Sequence, residues 1–312
     1  MRAGDRVLHV PVLEQAVIEG LNVRADGLYI DGTFGRGGHS SAILDRLGRK
    51  GRLLAIDRDP QAIEAIGEAL AGDSRFDIVR GEIGELRQIA GERQLPGKVD
   101  GLLLDLGVSS PQLDDAERGF SFLRDGPLDM RMDPTTGQSA AAWLAGVDER
   151  TLKRVLSQLG EERFAARIAR AIVAARADRA ITRTSQLAEI VRASVPARGE
   201  RKHPATKTFQ AIRIVINDEL TQLERALEAA PQLLRQGGRL CVISFHSLED
   251  RRVKRFMRDA SREPEQYRGL PGIPAEHRPL MRTVGKAVTA TAAEIEQNVR
   301  ARSARLRVAE RL

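Results

Sequence analysis

Three short apolar runs in the first 105 residues each close on an aspartate. They are Leu28-Tyr-Ile-Asp31, Gly51-Arg-Leu-Leu-Ala-Ile-Asp57 and Val99-Asp-Gly-Leu-Leu-Leu-Asp105. Near-continuous apolar runs of this length suit strands covered on both faces of a parallel sheet. Between the first two lies a glycine stretch, Gly32-Thr-Phe-Gly-Arg-Gly-Gly-His39, and Ser40 to Leu47 then read as a helix. Asp59-Pro60 starts another helix, with Asp as its N-cap and Pro at the first helical position. Phe76-Asp-Ile-Val79 reads as a third strand and Gly237-Gly-Arg-Leu-Cys-Val-Ile-Ser-Phe245 as a fifth. Strands alternating with helices predict a doubly wound α/β sheet.

The alternation breaks after Asp105. Residues 107–134 are rich in Gly, Asp, Pro and Ser and read as a long ordered loop, and 139–193 are helical in pattern. The clearest helix runs from Glu161 to Arg176, with an apolar stripe of Phe164, Ile168, Ile172 and Ala175 and a basic face of Arg163, Arg167 and Arg170. Another is expected from Thr206 to Ala229, and residues 259–290, with Pro271, Pro274 and Pro279, read as irregular. The organisation expected is an α/β domain from 1–115 and 205–312, interrupted by an all-helical insert at 116–204.

Charge separates along the same lines. Residues 1–149 carry 17 basic and 25 acidic side chains, a net of −8, whereas 150–213 carry 15 and 5, a net of +10. A local excess larger than the +7 of the whole chain points to a polyanion, nucleic acid before membrane. No apolar run approaches the roughly 18–20 residues of a spanning helix, and the N-terminus shows no signal-peptide core. The single cysteine, Cys241, suits a reducing compartment. The expectation is a cytoplasmic protein without a membrane partner.

In doubly wound sheets ligands bind at the carboxyl ends of the strands, near the switch point. Asp31, Asp57 and Asp105 stand there, and an acid ending the second strand is placed to accept from ribose hydroxyls. The glycines at 32, 35, 37 and 38 depart from the Gly-x-Gly-x-x-Gly of dinucleotide sites, and no Gly-Lys-Ser/Thr of a phosphate loop is present. S-adenosyl-L-methionine, with ribose hydroxyls and no phosphate, fits better. A dehydrogenase therefore fails on glycine spacing. A non-catalytic RNA-binding module is disfavoured by the intact loop and acids. The five histidines, His9, His39, His203, His246 and His277, lack metal-ligand spacing, so no metal is expected.

The residues also carry a resemblance. His9-Val-Pro-Val-Leu13, Asp31 to His39, Ala55-Ile-Asp-Arg-Asp-Pro60 and Leu103-Leu-Asp-Leu-Gly-Val-Ser-Ser-Pro-Gln-Leu-Asp114 match in order. So do Arg118-Gly-Phe-Ser-Phe122, Asp129-Met-Arg-Met-Asp133, His203-Pro-Ala-Thr206, Ile243-Ser-Phe-His-Ser-Leu-Glu-Asp250 and Asn298 to Arg311. Together they resemble the bacterial small-subunit (16S) ribosomal RNA cytosine-N4 methyltransferase family over nearly the whole chain. Only 262–294 match weakly, and Val299 stands where a Pro is common. The resemblance implies a class I S-adenosylmethionine-dependent methyltransferase, a Rossmann-like doubly wound sheet with an inserted all-helical domain. It implies methylation of the exocyclic N4 of a cytidine in the decoding region of 16S rRNA, within the small ribosomal subunit. It leaves a homodimer open. The cofactor contacts it carries over are Gly37, Gly38, His39, Asp57, Asp105, Gln112 and Ile83, where an aromatic is common.

Related amino-methyltransferases carry an Asp/Asn/Ser-Pro-Pro-aromatic loop after the fourth strand, and Asp105-Leu-Gly-Val-Ser-Ser-Pro111-Gln resembles it in part. Asp105, Ser109 and Ser110 are thus the candidate catalytic acceptors for the amine hydrogens, although Ser-Ser-Pro is equally a turn. Phe120 and Phe122 are candidates to stack a target base or, alternatively, to anchor their loop. Trp143 reads as insert core. Arg201, Lys202, Lys207, Arg251, Arg252 and Arg255 are candidate phosphate contacts.

Overall fold

The apolar runs that close on aspartate are strands. A computed structural model describes residues 11–196, 203–263, 265–267, 273–274 and 277–312. Its sheet comprises β1 (Leu28–Asp31), β2 (Arg52–Asp57), β3 (Phe76–Arg80), β4 (Val99–Asp105), β5 (Leu234–Ser244), β6 (Met281–Thr289) and β7 (Arg305–Arg311). The strand order is β3-β2-β1-β4-β5-β7-β6. The first five strands run parallel, and β7 pairs antiparallel with both β5 and β6. Succession leads outward one way from β1 and the other way from β4, so the switch point lies between these two.

Alternate residues of the central strands face opposite layers, as the two-residue period of a strand requires. Ile30, Leu54, Ile56, Leu102, Leu104 and Val242 pack in one buried cluster with Leu86, Leu223 and Val253 from helices on that side. Tyr29, Leu53, Leu103, Cys241 and Ile243 face a second cluster with Val17, Ile18 and Ile43. These last three belong to helices Glu14–Leu21 and Gly38–Leu44. Helix Pro60–Glu64 starts as its residues predict: the Asp59 carboxylate accepts from the Gln61 N–H at 3.0 Å, and Pro60 occupies the first turn.

By its contacts the chain divides into two compact units, Met1–Gly107 with Thr221–Leu312, and Val108–Leu220. The helical unit thus extends beyond 116–204 at both ends. The reason lies in its core, where Phe120, Leu128, Met130 and Met132 from the long loop pack with Ile168 and Ile172 and with Phe209 and Ile212. The loop is ordered by a buried arginine: Arg118, 6% exposed, donates to the carbonyls of Arg131 at 3.1 Å and Met132 at 2.8 Å. Gly126 is needed there, since a Cβ would fall 1.9 Å from the Ala116 carbonyl oxygen.

Three sequence expectations change. Residues 281–289 and 305–311 are strands, although the former lie in the stretch read as irregular. The helix read over 206–229 is two, Thr206–Ile216 and Glu219–Leu233. The break is made by Asn217, 1% exposed, whose amide donates to the Met130 carbonyl at 2.8 Å and accepts from the Met132 N–H at 2.7 Å. The helix expected from Glu161 begins at Ala165, because Glu161 adopts φ +49°. Among the described residues, no helix is long and apolar enough to cross a membrane.

Candidate active site

The carboxyl edge of the α/β unit is built on the register around β1. Asp31 pairs with Ala55 of β2 and with Leu103 of β4, so Asp57 and Asp105 each stand two residues further along. The three acids have different surroundings. Asp31 is 1% exposed and already partnered: the Ser40 hydroxyl donates to it at 2.7 Å and the Thr33 N–H at 3.1 Å. It ties the glycine loop to the following helix, and burial raises its carboxyl above the ordinary range.

Asp57 accepts the Gly35 N–H at 2.7 Å and the Asp59 N–H at 2.9 Å. Burial pushes its carboxyl up to about 6, against the lowering effect of those two N–H groups. Each carboxylate oxygen has a second acceptor site, so both retain capacity for a ligand hydroxyl. The glycine loop closes between β2 and β4. The Gly32 N–H donates to the Leu103 carbonyl at 2.9 Å and the Phe34 N–H to the Ile56 carbonyl at 3.0 Å. Gly37 is required there. Its φ is +74°, and a Cβ would fall 2.8 Å from the Phe34 ring. At Gly38 a Cβ would meet Pro11 at 2.6 Å.

Asp105 differs from both. Its N–H donates to the Thr33 hydroxyl oxygen at 2.6 Å, which holds the end of β4. Its Oδ2 lies 3.5 Å from His39 Nε2, and its buried Oδ1 has no hydrogen-bond partner. His39, 6% exposed, makes no hydrogen bond through either ring nitrogen, and its Nε2 has only the Asp105 ion pair. Burial opposes a charged imidazole, yet the Asp105 and Asp31 carboxylates outweigh it and raise the His39 pKa. Buried polar atoms without hydrogen-bond partners are uncommon and mark this end of β4 as unusual. Ile83, on the turn Ile83–Glu85, supplies an apolar wall. Its Cγ2 lies 3.5 Å from where a Cβ on Gly32 would stand. Gln222, which sequence reasoning did not single out, holds this turn by accepting the Gly84 N–H at 2.9 Å. An acceptor for ribose hydroxyls, an apolar wall and further polar atoms are what an S-adenosylmethionine molecule needs, so the residues fit that cofactor.

A family model described as the MraW methylase family matches residues 6–312. The chain belongs to the MraW methylase family. It is an S-adenosylmethionine-dependent methyltransferase acting on ribosomal RNA, and its seven-stranded sheet is the class I, Rossmann-like fold. Solved structures are similar to this methylase at low identity. TrmN from Thermus thermophilus is 14% identical, with a TM-score of 0.43, covering 96% of this chain and 48% of that one. NSun6 from Pyrococcus horikoshii, solved with SFG, is 15% identical, with a TM-score of 0.43 and coverage of 96% and 52%. An rRNA methylase from Streptococcus thermophilus is 12% identical, with a TM-score of 0.37 and coverage of 96% and 93%.

The remaining predicted residues of this MraW-family methylase belong to the helical unit or to other elements of the α/β unit. Within the helical unit, Ser109 and Gln112 form a reciprocal capping box on helix Ser110–Asp114, the Ser109 N–H donating to Gln112 Oε1 at 2.9 Å. That is the turn reading of Ser-Ser-Pro. Phe120 is 6% exposed and packed in the helical core, the placement expected of a loop anchor. Phe122 is half-buried, stacked on His203 at 4.4 Å and edge-on to Phe209 at 5.0 Å. Trp143 packs half-buried against the same core. Lys207 Nζ donates to the Glu161 carbonyl at 3.0 Å. In the α/β unit, Arg252 is tied to Glu224 at 2.7 Å, while Arg251 and Arg255 are exposed. Arg201 and Lys202 lie outside the described residues.

Proposed function

We propose that this methylase transfers a methyl group to the exocyclic N4 of one cytidine in the decoding region of 16S rRNA, presented by the small ribosomal subunit in the cytoplasm. The observation that carries the reading is the buried, unpartnered Oδ1 of Asp105 at the end of β4, where related amino-methyltransferases place their amine-binding loop. The ordered match to the cytosine-N4 family along the chain supports it.

Bound S-adenosylmethionine supplies an already activated methyl group. The amine is the weak partner, because its lone pair is delocalised into the pyrimidine ring. The protein's contribution is therefore orientation, holding the attacking contact at about 3–3.5 Å and in line. Asp105 accepts an amine hydrogen, which favours a pyramidal nitrogen, and takes the proton that leaves once the new N–C bond forms. Asp57 accepts from the ribose hydroxyls, and the backbone at Gly37 and Gly38 approaches the cofactor closely. The helical unit, which holds most of the net positive segment, contacts the RNA.

The test is methyl transfer from labelled S-adenosylmethionine to purified small subunits, naked rRNA and DNA, followed by nucleoside analysis. The expected product is N4-methylcytidine at one site on the subunit. Label recovered on a ribose oxygen or a ring carbon would overturn the reading.

Asp57 makes the cofactor step pH-dependent. Its carboxyl titrates at about 6, and only the ionised form has full capacity to accept ribose hydroxyls. As pH falls through that value the protonated form grows. Cofactor affinity is then expected to fall about tenfold from pH 7 to pH 5 by proton linkage. Calorimetric titration at both pH values checks this. An Asp57→Asn variant should bind weakly at both, with the step centred on about 6 gone.

A further inference from the structure

Strand β6 forms one edge of the sheet and is bulged. Its pairing with β7 shifts between Val284 and Val288, with Gly285 at φ +66°. Bulges re-aim side chains at sheet edges. Helix Ser247–Ala260 packs on β6 and β7, and a groove of about 420 Å³ runs between helix and bulge. Among the described residues twelve line it, of which five are cationic, namely Lys254, Arg258, Arg262, Lys286 and Arg307, and none is acidic.

The neighbouring acids are already matched. Asp250 takes Arg307 at 2.7 Å and Arg305 at 3.3 Å. Asp259 takes Arg258 at 2.8 Å, and Glu310 takes Arg282 at 2.6 Å and Arg239 at 3.1 Å. Lys254, Arg262 and Lys286 are left exposed, with no ion pair among the described residues. Lys254 also acts on Asp250 and Arg262 on Asp259, yet the groove's five cations outnumber these two acids, and the excess positive charge favours an anion. Among the described residues, no aromatic side chain lines the groove. It offers charge without stacking, which suits a sugar–phosphate backbone and not bases. The groove lies beside residues 283–287 of β6 and the C-terminal half of the helix, where Ser261 and Thr283 are 3.4 Å apart.

We propose that this groove seats phosphates of the ribosomal RNA outside the segment that carries the target base, and so positions the substrate. The proposal rests on the RNA-methylating reading but not on the choice of cytidine N4. It is tested on the full chain with a groove triple, Lys254→Gln, Arg262→Gln and Lys286→Gln. A control triple of equal charge change, Arg49→Gln, Lys50→Gln and Lys98→Gln, removes exposed cations that precede β2 and β4.

Binding of naked small-subunit rRNA is measured against salt. Each lost single-stranded phosphate contact lowers the slope of log K on log salt by about 0.7, so the groove triple is expected to lose about 2. Its KM for RNA should rise, while kcat and S-adenosylmethionine affinity hold. Equal slopes in the two triples would overturn the proposal. So would a groove triple that loses affinity for the assembled subunit but keeps it for naked RNA, which would point to an acidic protein surface. A wild type that binds with the expected slope yet forms no N4-methylcytidine would remove the cytidine assignment and leave the groove standing.

Discussion

Replacing Asp105 by alanine is expected to lower kcat by about 10²–10³-fold at saturating S-adenosylmethionine, the usual cost of deleting one preorganised polar group from a reaction centre. The expectation comes from a difference among the three acids. Asp31 spends its carboxylate on Ser40 and Thr33, and Asp57 already accepts two backbone N–H groups. Asp105 alone keeps a buried oxygen with no partner, while Thr33 fixes its backbone. A preorganised acceptor helps only what develops at that point, here an amine losing planarity and then a proton. Asp105→Asn keeps the size and removes the charge, and should recover little activity. Two roles separate in the kinetics. If Asp105 serves the cofactor alone, the cofactor Kd rises and kcat returns at saturation, and the catalytic role is then wrong. If it serves the amine, kcat stays low at any cofactor concentration, with the RNA KM little changed.

The parts of this site that could be read in advance are those that depend on local chemistry. β1, β2 and β4 announce themselves because a strand buried on both faces must be apolar throughout, and its polar ligand group can sit only at the end. Asp57 and the glycine loop followed from that. β6 and β7 were hidden for the opposite reason. Arg305, Arg307 and Arg311 alternate along a strand whose charges are neutralised by distant partners, such as Asp250 for Arg307. β6, at the sheet edge, has one fully buried residue, Met281. No local pattern reveals such pairings. The same holds for Asn217, which ends a helix because Met130 and Met132 need its amide, and for Gln222, which holds the turn at Gly84. Ser40 and Thr33 are small polar residues whose only signal was their proximity to Asp31. Phe120 is a different case: an aromatic on a polar loop reads equally as ligand platform or anchor, and its burial favours the anchor.

That decision has its own measurement. Phe120→Ala is expected to destabilise the helical unit by about 3–5 kcal/mol, the range for emptying a packed phenylalanine site. The ring is 6% exposed, shares its core with Leu128 and Met130, and has the Arg118 guanidinium 5.8 Å from its centroid. Arg118 in turn holds the carbonyls at 131 and 132, so loss of the ring loosens the loop as well as opening a cavity. Urea unfolding of the full chain should show an earlier transition, and Phe120→Leu, which refills most of the volume, should restore most of it. A base-stacking phenylalanine predicts the opposite signature. RNA affinity would drop by about 1–3 kcal/mol with the unfolding midpoint unchanged, and leucine would rescue little, since it has no π-face. A variant that unfolds like wild type but binds RNA poorly would return Phe120 to the substrate. The burial of the ring argues that stability moves first, and that any loss of RNA binding tracks the fraction unfolded.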